Sequence, residues 1–350
     1  LPTAAALMTR KVTIALDAMG GDQGPEAVIP AALATLEKDD SVNLLLVGYP
    51  DTLDKARAEA GEKYGNRLSF VSATEVVDMD EHPAEALRRK TKSSMRIAIE
   101  ALKRGDVDAC VSSGNTGALM AIARHVLKML PGVDRPAIVS AIPTLSGGYT
   151  FMLDLGANVG CNAQHLLQFA LMGSVVAEDM LDIERARIGL LNIGQENIKG
   201  DEVVREAGEL LSQSTLNYIG FVEGDAVFSG KADVIVSDGF VGNVALKTME
   251  GVAGLISAIL REEFSRNPLR QIQGLTARST LNAVCNRLDS RRYNGASLLG
   301  LNGVVIKSHG GADKLAFESA VQTAIVEARK GVPVQIGRLI EDQGIECIRG

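Results

Sequence analysis

Short apolar runs, rich in β-branched residues, alternate along this chain with longer amphipathic segments. Most of these runs are followed by a helix-like stretch, which is the pattern of consecutive βαβ units. The strand-like runs are 11–16, 42–47, 107–112, 136–142, 150–153, 186–192 and 232–237. We therefore expect an α/β fold with a mostly parallel sheet flanked by helices, and functional loops at the carboxyl ends of its strands.

The composition fits a large buried core without separate modules. Of the 350 residues, 46% are hydrophobic, and no internal repeat or Pro/Ser-rich linker divides the chain. We expect one two-lobed unit over 8–342, with a helical excursion near 251–290 where two helical segments follow each other without a strand. Residues 1–7 precede Met8 and are expected to be a remnant or an unordered tail outside this unit.

Several functional classes are disfavoured by the composition. A net charge of −7 and few aromatic residues argue against a nucleic-acid partner. The four cysteines are far apart without a CxxC pair, so we expect reduced, mostly buried thiols and no metal site. No apolar run approaches the roughly 18–20 residues of a membrane span and no signal segment is recognised, so we expect a cytoplasmic location.

The spacing of the glycines excludes the common nucleotide sites. No glycine has another two positions away, so the dinucleotide fingerprint GxGxxG does not occur. A Walker A loop needs Gly-Lys followed by Ser or Thr, whereas Gly230-Lys231 precedes Ala232. We therefore expect no cofactor.

Irregular glycine loops follow four of the expected strands, at 17–22, 112–117, 154–158 and 239–243. Glycine lets backbone N–H groups approach a ligand, and a helix N-terminus carries about half a positive charge, so each loop can bind an anion. The alternative is that Ser, Asn and Asp serve here only as helix caps and turn formers. The candidate ligands in these loops are Asp17, Gly20, Gly21, Ser113, Gly114, Asn115, Thr116, Gly117 and Asn158.

Two isolated side chains are further candidates. Lys199 follows the run 186–192, where a cation can stabilise a phosphate or a developing oxyanion; an exposed loop lysine is the alternative. His309 opens the last long helical stretch and can act as a base or an anion ligand, although a histidine with a structural hydrogen bond is the simpler interpretation.

A basic stretch stands out in this acidic chain. No acid occurs over 86–99, which contains Arg88, Arg89, Lys90, Lys92 and Arg96. Such a stretch can contact phosphate or an acidic protein, or can simply be a solvated helix face.

The segment 251–290 is both basic and amphipathic. Seven arginines against three acids lie in 261–292, and apolar residues recur every three or four positions from 252 onwards. Such a segment is typical of contact with an anionic bilayer; packing on the core or across a dimer interface is the alternative. The candidate membrane-binding residues are Leu255, Ile256, Ile259 and Leu260.

Six motifs taken together resemble those of the bacterial phosphate acyltransferase family PlsX. They are LDAMGGD, SSGNTGALMA, MLDLGAN, LNIGQENIKG, SDGFVGNVALK and KSHGGAD, in the family's order and spanning roughly 10–330. The resemblance implies an isocitrate/isopropylmalate dehydrogenase-like fold and a homodimer associated peripherally with the membrane. It also implies transfer of a long acyl chain from acyl carrier protein to inorganic phosphate, which yields acyl-phosphate for phospholipid synthesis.

The implied chemistry needs positioning and charge stabilisation more than a covalent nucleophile, because phosphate attacks and a thiolate leaves. In the family pattern Lys199 stabilises the tetrahedral oxyanion or neutralises phosphate, and Asn243 orients a reactant. Residues 88–90 or the arginines of 261–292 would dock the acidic carrier protein. Alternatives that remain open are a short-chain phosphotransacylase using coenzyme A, a decarboxylating dehydrogenase, and a membrane-associated scaffold of lipid synthesis.

Overall fold

The computed structural model describes residues 10–344, apart from some side chains between 269 and 288; the expected tail at 1–7 lies outside the described residues. Eleven strands form one mixed sheet in the spatial order β3-β2-β1-β4-β11-β10-β5-β6-β9-β7-β8. The strands are β1 (Val12–Asp17), β2 (Val42–Gly48), β3 (Leu68–Ser72), β4 (Ala109–Ser112), β5 (Ala137–Pro143), β6 (Tyr149–Leu153), β7 (Arg187–Leu191), β8 (Asn217–Val222), β9 (Val234–Val236), β10 (Ala296–Leu299) and β11 (Val304–Lys307).

Helices connect most of the strands and cover both faces of the sheet, as the βαβ pattern predicts. They are α1 (Pro25–Lys38), α2 (Pro50–Ala60), α3 (Pro83–Arg89), α4 (Ser94–Arg104), α5 (Thr116–Leu127), α6 (Ala163–Leu181), α7 (Glu202–Gln213), α8 (Ala226–Ser229), α9 (Gly239–Ser265), α10 (Pro268–Thr276), α11 (Arg278–Leu288), α12 (Lys314–Lys330) and α13 (Val332–Asp342).

The sheet has two parallel parts that run in opposite directions. Strands β3, β2, β1, β4 and β11 are mutually parallel, and so are β6, β9, β7 and β8. Three consecutive antiparallel pairings, through β10 and β5, reverse the direction between β11 and β6. The strands of the two parts therefore end at different edges. We call the edge where β1, β4 and β11 end the β1 rim, and the edge where β6, β9 and β7 end the β6 rim.

Apolar side chains are buried on both faces of the sheet. Helices α12 and α1 cover one face of β1, β4 and β11, with Phe317 fully buried, while α6 is buried along most of its length against β6 and β9. On the opposite face, Met95 of α4 and Leu119 of α5 share a cluster with Ala245 and Leu246 of α9. The start of α9 therefore packs against the core with partly buried side chains.

The helical excursion differs in its limits from the prediction. It consists of three helices, α9 to α11, and α9 begins at Gly239 rather than near 251. The early start has a local cause, because the side chain of Asp238 caps the helix by accepting a hydrogen bond from the Phe240 N–H. A second helix restarts at Pro268, a residue that suits the first turn of a helix but not its interior. Contrary to the expectation that no segment approaches a membrane span, α9 is, among the described helices, the one long and apolar enough to cross a membrane.

Candidate active site

The β1 rim is organised around the carboxylate of Asp17, the last residue of β1, which is fully buried. Ser112 ends the neighbouring strand β4, and its hydroxyl donates a 2.6 Å hydrogen bond to Asp17 Oδ2 and accepts one of 3.1 Å from the Gly114 N–H. Burial raises the pKa of Asp17, against the hydrogen bond from Ser112, which lowers it. A buried acid thus fixes the two predicted loops 17–22 and 112–117 to each other.

Glycines allow these loops to touch a third loop, 308–313. A Cβ at Gly21, where φ is +84°, would lie 2.7 Å from both the Gly310 carbonyl oxygen and Ser113 Oγ. A Cβ at Gly20 would lie 2.7 Å from both Asp17 Oδ2 and the Gly114 nitrogen. A side chain at either glycine would therefore prevent the loops from touching, whatever ligand the loops bind.

Lys307 is a buried cation at the β1 rim, and sequence reasoning did not select it. It ends β11, is 8% exposed, and its ammonium donates hydrogen bonds to the carbonyls of Ser113 (3.3 Å) and Ser308. Burial, and then the charge of Lys247, lower its pKa to about 8, while Asp17 and Asp22 act in the opposite direction. The available signal was a lysine directly before the SHGGAD sequence.

The SSGNTG sequence is partly a helix cap, as the alternative interpretation proposed. Asn115 Oδ1 accepts a 3.0 Å hydrogen bond from the Ala118 N–H, and its amide donates to the carbonyls of Met79 and Glu81. Thr116 and Gly117 are exposed, and no hydrogen bond within residues 10–344 uses their backbone N–H groups. Those two groups are available to an anion at the N-terminus of α5.

His309 does not open a helix, contrary to the prediction, because α12 begins at Lys314 with Asp313 as its cap. The backbone N–H of His309 donates to Asn294 Oδ1 (3.0 Å), and its Nδ1 accepts from the Gly311 N–H (3.1 Å). In its neutral form the ring therefore carries its proton on Nε2. The exposed ring presents a donor beside the three loops of the β1 rim.

The β6 rim is organised around a second buried acid, Asp154. Its Oδ1 accepts from the N–H groups of Ile138, Gly156 and Ala157, and its Oδ2 accepts from the N–H and the amide of Asn158. Burial raises the pKa of Asp154, and these hydrogen bonds act against it. The predicted loop 154–158 is thus held by its own first residue.

The segment 239–243 was predicted as an anion-binding loop, but it is the first turn of α9. A Cβ at Gly239 would overlap the Asn158 carbonyl oxygen, and one at Gly242 would overlap that of Asp154, so both glycines permit α9 to rest on the loop 154–158. Protein carboxylates already lie at this helix start, since Asp238 accepts from the Phe240 and Cys161 N–H groups. The glycine pattern here reports close packing of backbone on backbone.

Asn243 and Lys199 also belong to the β6 rim. Asn243 is exposed and lies against Gly156, because a Cβ built on Gly156 would be 3.4 Å from the Cβ of Asn243. Lys199 lies in the exposed loop after β7, with its ammonium 3.0 Å from the Glu196 carboxylate. The predicted residues therefore fall into two groups: Asn158, Asn243 and Lys199 at the β6 rim, and the remaining anion ligands at the β1 rim.

Helix α9 connects the two groups. Asn243 and Lys247 are four positions apart, so they share one face of the helix at roughly 6 Å. The charge of Lys247 in turn lowers the pKa of Lys307 at the other rim. The exposed face of α9 thus leads from Asn243 to the buried lysine.

The described cysteines take no part in this arrangement. Cys110 and Cys161 are buried free thiols, and burial raises both pKa values, that of Cys161 to about 12. A thiol with so high a pKa is a poor nucleophile at neutral pH. The side chain of Cys285, and Cys347, lie outside the described residues.

The sequence of this chain is similar to a known family over most of its length. Residues 12–335 match the family model described as "Fatty acid synthesis protein". A phosphate acyltransferase of Alkalilimnicola ehrlichii is 57% identical over 95% of this chain and 97% of its own length, and one of Nitrosococcus oceani is 58% identical over 94% and 97%.

Solved structures show a similar fold at much lower sequence identity. A phosphotransacetylase from Streptococcus pyogenes has a TM-score of 0.60 at 17% identity, over 94% of this chain and all of its own. EutD phosphotransacetylase from Staphylococcus aureus has a TM-score of 0.59 at 16% identity, over 91% and 94%. The chain belongs to the phosphate acyltransferase family, a family of acyl-transferring enzymes.

Proposed function

We propose that this chain transfers an acyl group from acyl carrier protein to inorganic phosphate, and that phosphate binds at the β1 rim. The observation that carries the site assignment is the buried ammonium of Lys307 where three glycine loops meet. The free N–H groups of Thr116 and Gly117 and the Nε2 donor of His309 lie on two of these loops. Donors without competing partners are what a phosphate oxygen requires.

In the proposed reaction, a phosphate oxygen attacks the thioester carbonyl carbon and forms a C–O bond. Negative charge collects on the carbonyl oxygen of the tetrahedral intermediate, where a nearby cation or amide donor lowers the barrier. When the carbonyl forms again, the C–S bond breaks, and the thiolate leaves with the electron pair and takes a proton from solvent. The family resemblance assigns the oxyanion to Lys199 and the orientation of the thioester to Asn243. Because both lie at the β6 rim, the proposal requires the reacting carbonyl to lie along the exposed face of α9, between these residues and the phosphate at the β1 rim, with the exposed side chain of Lys199 reaching toward it.

The carrier protein docks, in this proposal, on the basic surface of α3. Arg88 and Arg89 are exposed and have no ion pair within residues 10–344, whereas Lys90 and Arg96 are already paired with Glu81 and Glu100. Helix α3 adjoins the phosphate loops, because a Cβ at Gly117 would lie 2.7 Å from Pro83 at its start. An acidic carrier protein on this surface delivers its thioester close to the β1 rim.

The distal part of α9 is the proposed contact with an anionic membrane, which makes the protein cytoplasmic and peripherally membrane-associated. Leu255 is 59% exposed, Ile256 40% and Ile259 49%, whereas Leu260 is half-buried. An unpartnered apolar stripe on a segment rich in arginine favours a bilayer surface. An acyl-phosphate product released beside α9 would reach lipid directly.

A homodimer is part of the proposal as well. Ile193 and Ile198, on the same loop as Lys199, are 78% and 83% exposed. In this proposal the second copy of the chain packs on these two side chains and removes them from water. The loop 192–200 is accordingly the first place to probe for the contact, by measuring the mass in solution of an Ile198→Asp variant.

The proposed reaction is tested by measuring acyl-phosphate formation from long-chain acyl carrier protein and from short-chain coenzyme A thioesters, with inorganic phosphate. We expect faster turnover with the carrier-protein substrate. A preference for short coenzyme A thioesters would favour the second candidate, a phosphotransacylase, which the similar fold of the two phosphotransacetylases keeps open. Failure with both substrates would favour a scaffold that has lost catalysis.

A further inference from the structure

A polar cavity of about 500 Å³ lies at the β6 rim, away from the proposed phosphate loops. Its lining includes Arg124, in the last turn of α5, and Arg135, just before β5. It also includes Asn158, Asn162 and His165, from the loop after β6 and the start of α6. The proposed function assigns no ligand to this space.

The charge of the cavity is positive. Neither guanidinium has a hydrogen bond or an ion pair to any residue in the described range 10–344. One carboxylate, Asp134, also lines the cavity, and it accepts a 2.8 Å hydrogen bond from the amide of Gln168. The nearby carboxylate of Asp154 is saturated by five donors, so it does not compete for the arginines.

Neutral donors complete the lining. His165 is buried, and its Nδ1 accepts a 3.1 Å hydrogen bond from the Asn162 N–H, so the neutral ring carries its proton on Nε2. Burial, and then the charge of Arg135, lower the pKa of His165, which favours the neutral form of the ring. The side-chain oxygen of Asn162 caps α6 through the His165 N–H, which leaves its amide free to donate.

Asn158 supplies the complementary acceptor. It is 9% exposed, and its amide nitrogen donates to the Pro136 carbonyl (2.7 Å) and to Asp154 (2.8 Å). Its side-chain oxygen has no partner among the described residues, although the residue is almost fully buried and lines the cavity. Among the described residues the buried side-chain atoms without a partner are the hydroxyls of Tyr218 and Ser237, so the Asn158 oxygen is open to the cavity and can accept a hydrogen bond from a ligand there.

We propose that this cavity binds a phosphate ester attached to an organic chain that carries a hydrogen-bond donor. Paired guanidinium groups match the oxygens of a phosphate, and a hydroxyl or amide of the organic chain meets the oxygen of Asn158. Orthophosphate alone would leave most of the cavity volume of about 500 Å³ empty. One water molecule occupies about 30 Å³, and orthophosphate is only a few times larger. The phosphorylated pantetheine arm of the thioester substrate has this chemistry, and this identification of the source rests on the proposed function.

Calorimetric titration of the full chain with free phosphopantetheine tests the site without any turnover, so its result does not depend on whether acyl transfer occurs. We expect pantetheine, which lacks the phosphate, to bind at least on the order of tenfold more weakly, as loss of a charged hydrogen bond predicts. Arg135→Gln and Arg124→Gln should each weaken binding by a similar factor. Arg205→Gln, at an exposed arginine of α7 that does not line the cavity, is the matched control and should bind normally.

Two results of these titrations, one from the arginine variants and one from the choice of ligand, would overturn the proposal. Arg124 is exposed, so its variant reports on binding without a risk to folding. Equal affinity of the two arginine variants and the wild type overturns the proposal. Orthophosphate that binds as tightly as phosphopantetheine also overturns it, because the organic chain would then contribute nothing.

Discussion

The hydroxyl of Ser112 joins the ends of two neighbouring strands by donating a 2.6 Å hydrogen bond to the buried carboxylate of Asp17. Ser112→Ala removes this donor and also the acceptor of the Gly114 N–H. We expect a loss of about 1–3 kcal/mol in the free energy of unfolding, because buried polar groups lose their partners. Urea unfolding measures it, with Ser212→Ala on the exposed face of α7 as the control; equal losses in the two variants would contradict the prediction.

Lys307→Met should raise the KM for phosphate by on the order of a hundredfold if the ammonium contacts the anion. The ammonium must be protonated to do so, and its pKa is about 8, so kcat/KM for phosphate should fall as the pH rises through that value. Lys307→Arg should remove this alkaline decline, because arginine stays charged. An unchanged KM in Lys307→Met would contradict contact between the ammonium and the anion, and a lower melting temperature with that unchanged KM would assign the lysine a structural role.

Lys199→Ala should lower kcat by roughly 100- to 1,000-fold, the effect of removing one oxyanion donor. Glu196→Gln is the matched control, since it removes only the exposed partner of Lys199 and exposed ion pairs contribute little. Steady-state rates of acyl-phosphate formation measure both. Wild-type turnover in Lys199→Ala would show that the proposed role is wrong.

Gly242→Ala should disable the enzyme although glycine 242 touches no proposed substrate. A Cβ at this position would overlap the Asp154 carbonyl oxygen, so the first turn of α9 must move away from the loop 154–158 and take Asn243 with it. Gly251→Ala, on the same helix with open space around it, is the control and should be neutral or stabilising. Thermal melting and turnover should both separate the two variants.

Glu327 makes the free energy of unfolding fall as the pH rises. It is fully buried beside Ser297, and burial raises its pKa from 4.5 to about 7. Because the folded pKa lies above the unfolded one, its stabilisation is complete below pH 4.5 and is lost as the pH rises through 7, by on the order of 3 kcal/mol. Glu327→Gln should therefore flatten the melting temperature between pH 5 and pH 8; parallel curves would contradict this.

The expected strands agree closely with seven of the observed ones, because each is a continuous apolar run that the core buries. Strands β3, β8, β10 and β11 were missed for two reasons. Residues of β3 and β8 lie at the outer edges of the sheet and are partly exposed, which weakens the apolar pattern. β10 and β11 lie in a stretch punctuated by Gly295, Gly300 and Gly303, so the sequence there has the pattern of a loop.

The candidate site was only partly predictable from the sequence, because burial and the packing of loops on each other do not show in it. Glycine and aspartate at strand ends identify loops such as 17–22, but they do not reveal that Asp154 and Asp238 occupy the position predicted for an anion. Lys307 was missed because burial, which no sequence pattern showed, distinguishes it from other lysines. The interpretation as a phosphate acyltransferase is confirmed by the relatives, while the roles of individual residues, the dimer and the membrane contact stay predictions.

The unbroken length of α9, from Gly239 to Ser265, has a consequence for insertions and deletions. One added residue between Lys247 and Leu255 would turn everything beyond it by about 100° relative to Asn243. The exposed apolar stripe would then point in a new direction while the rest of the sheet stayed as it is. The number of residues that separate the stripe from Asn243 therefore fixes their relative direction, whereas a substitution on the exposed face of the helix leaves that direction unchanged.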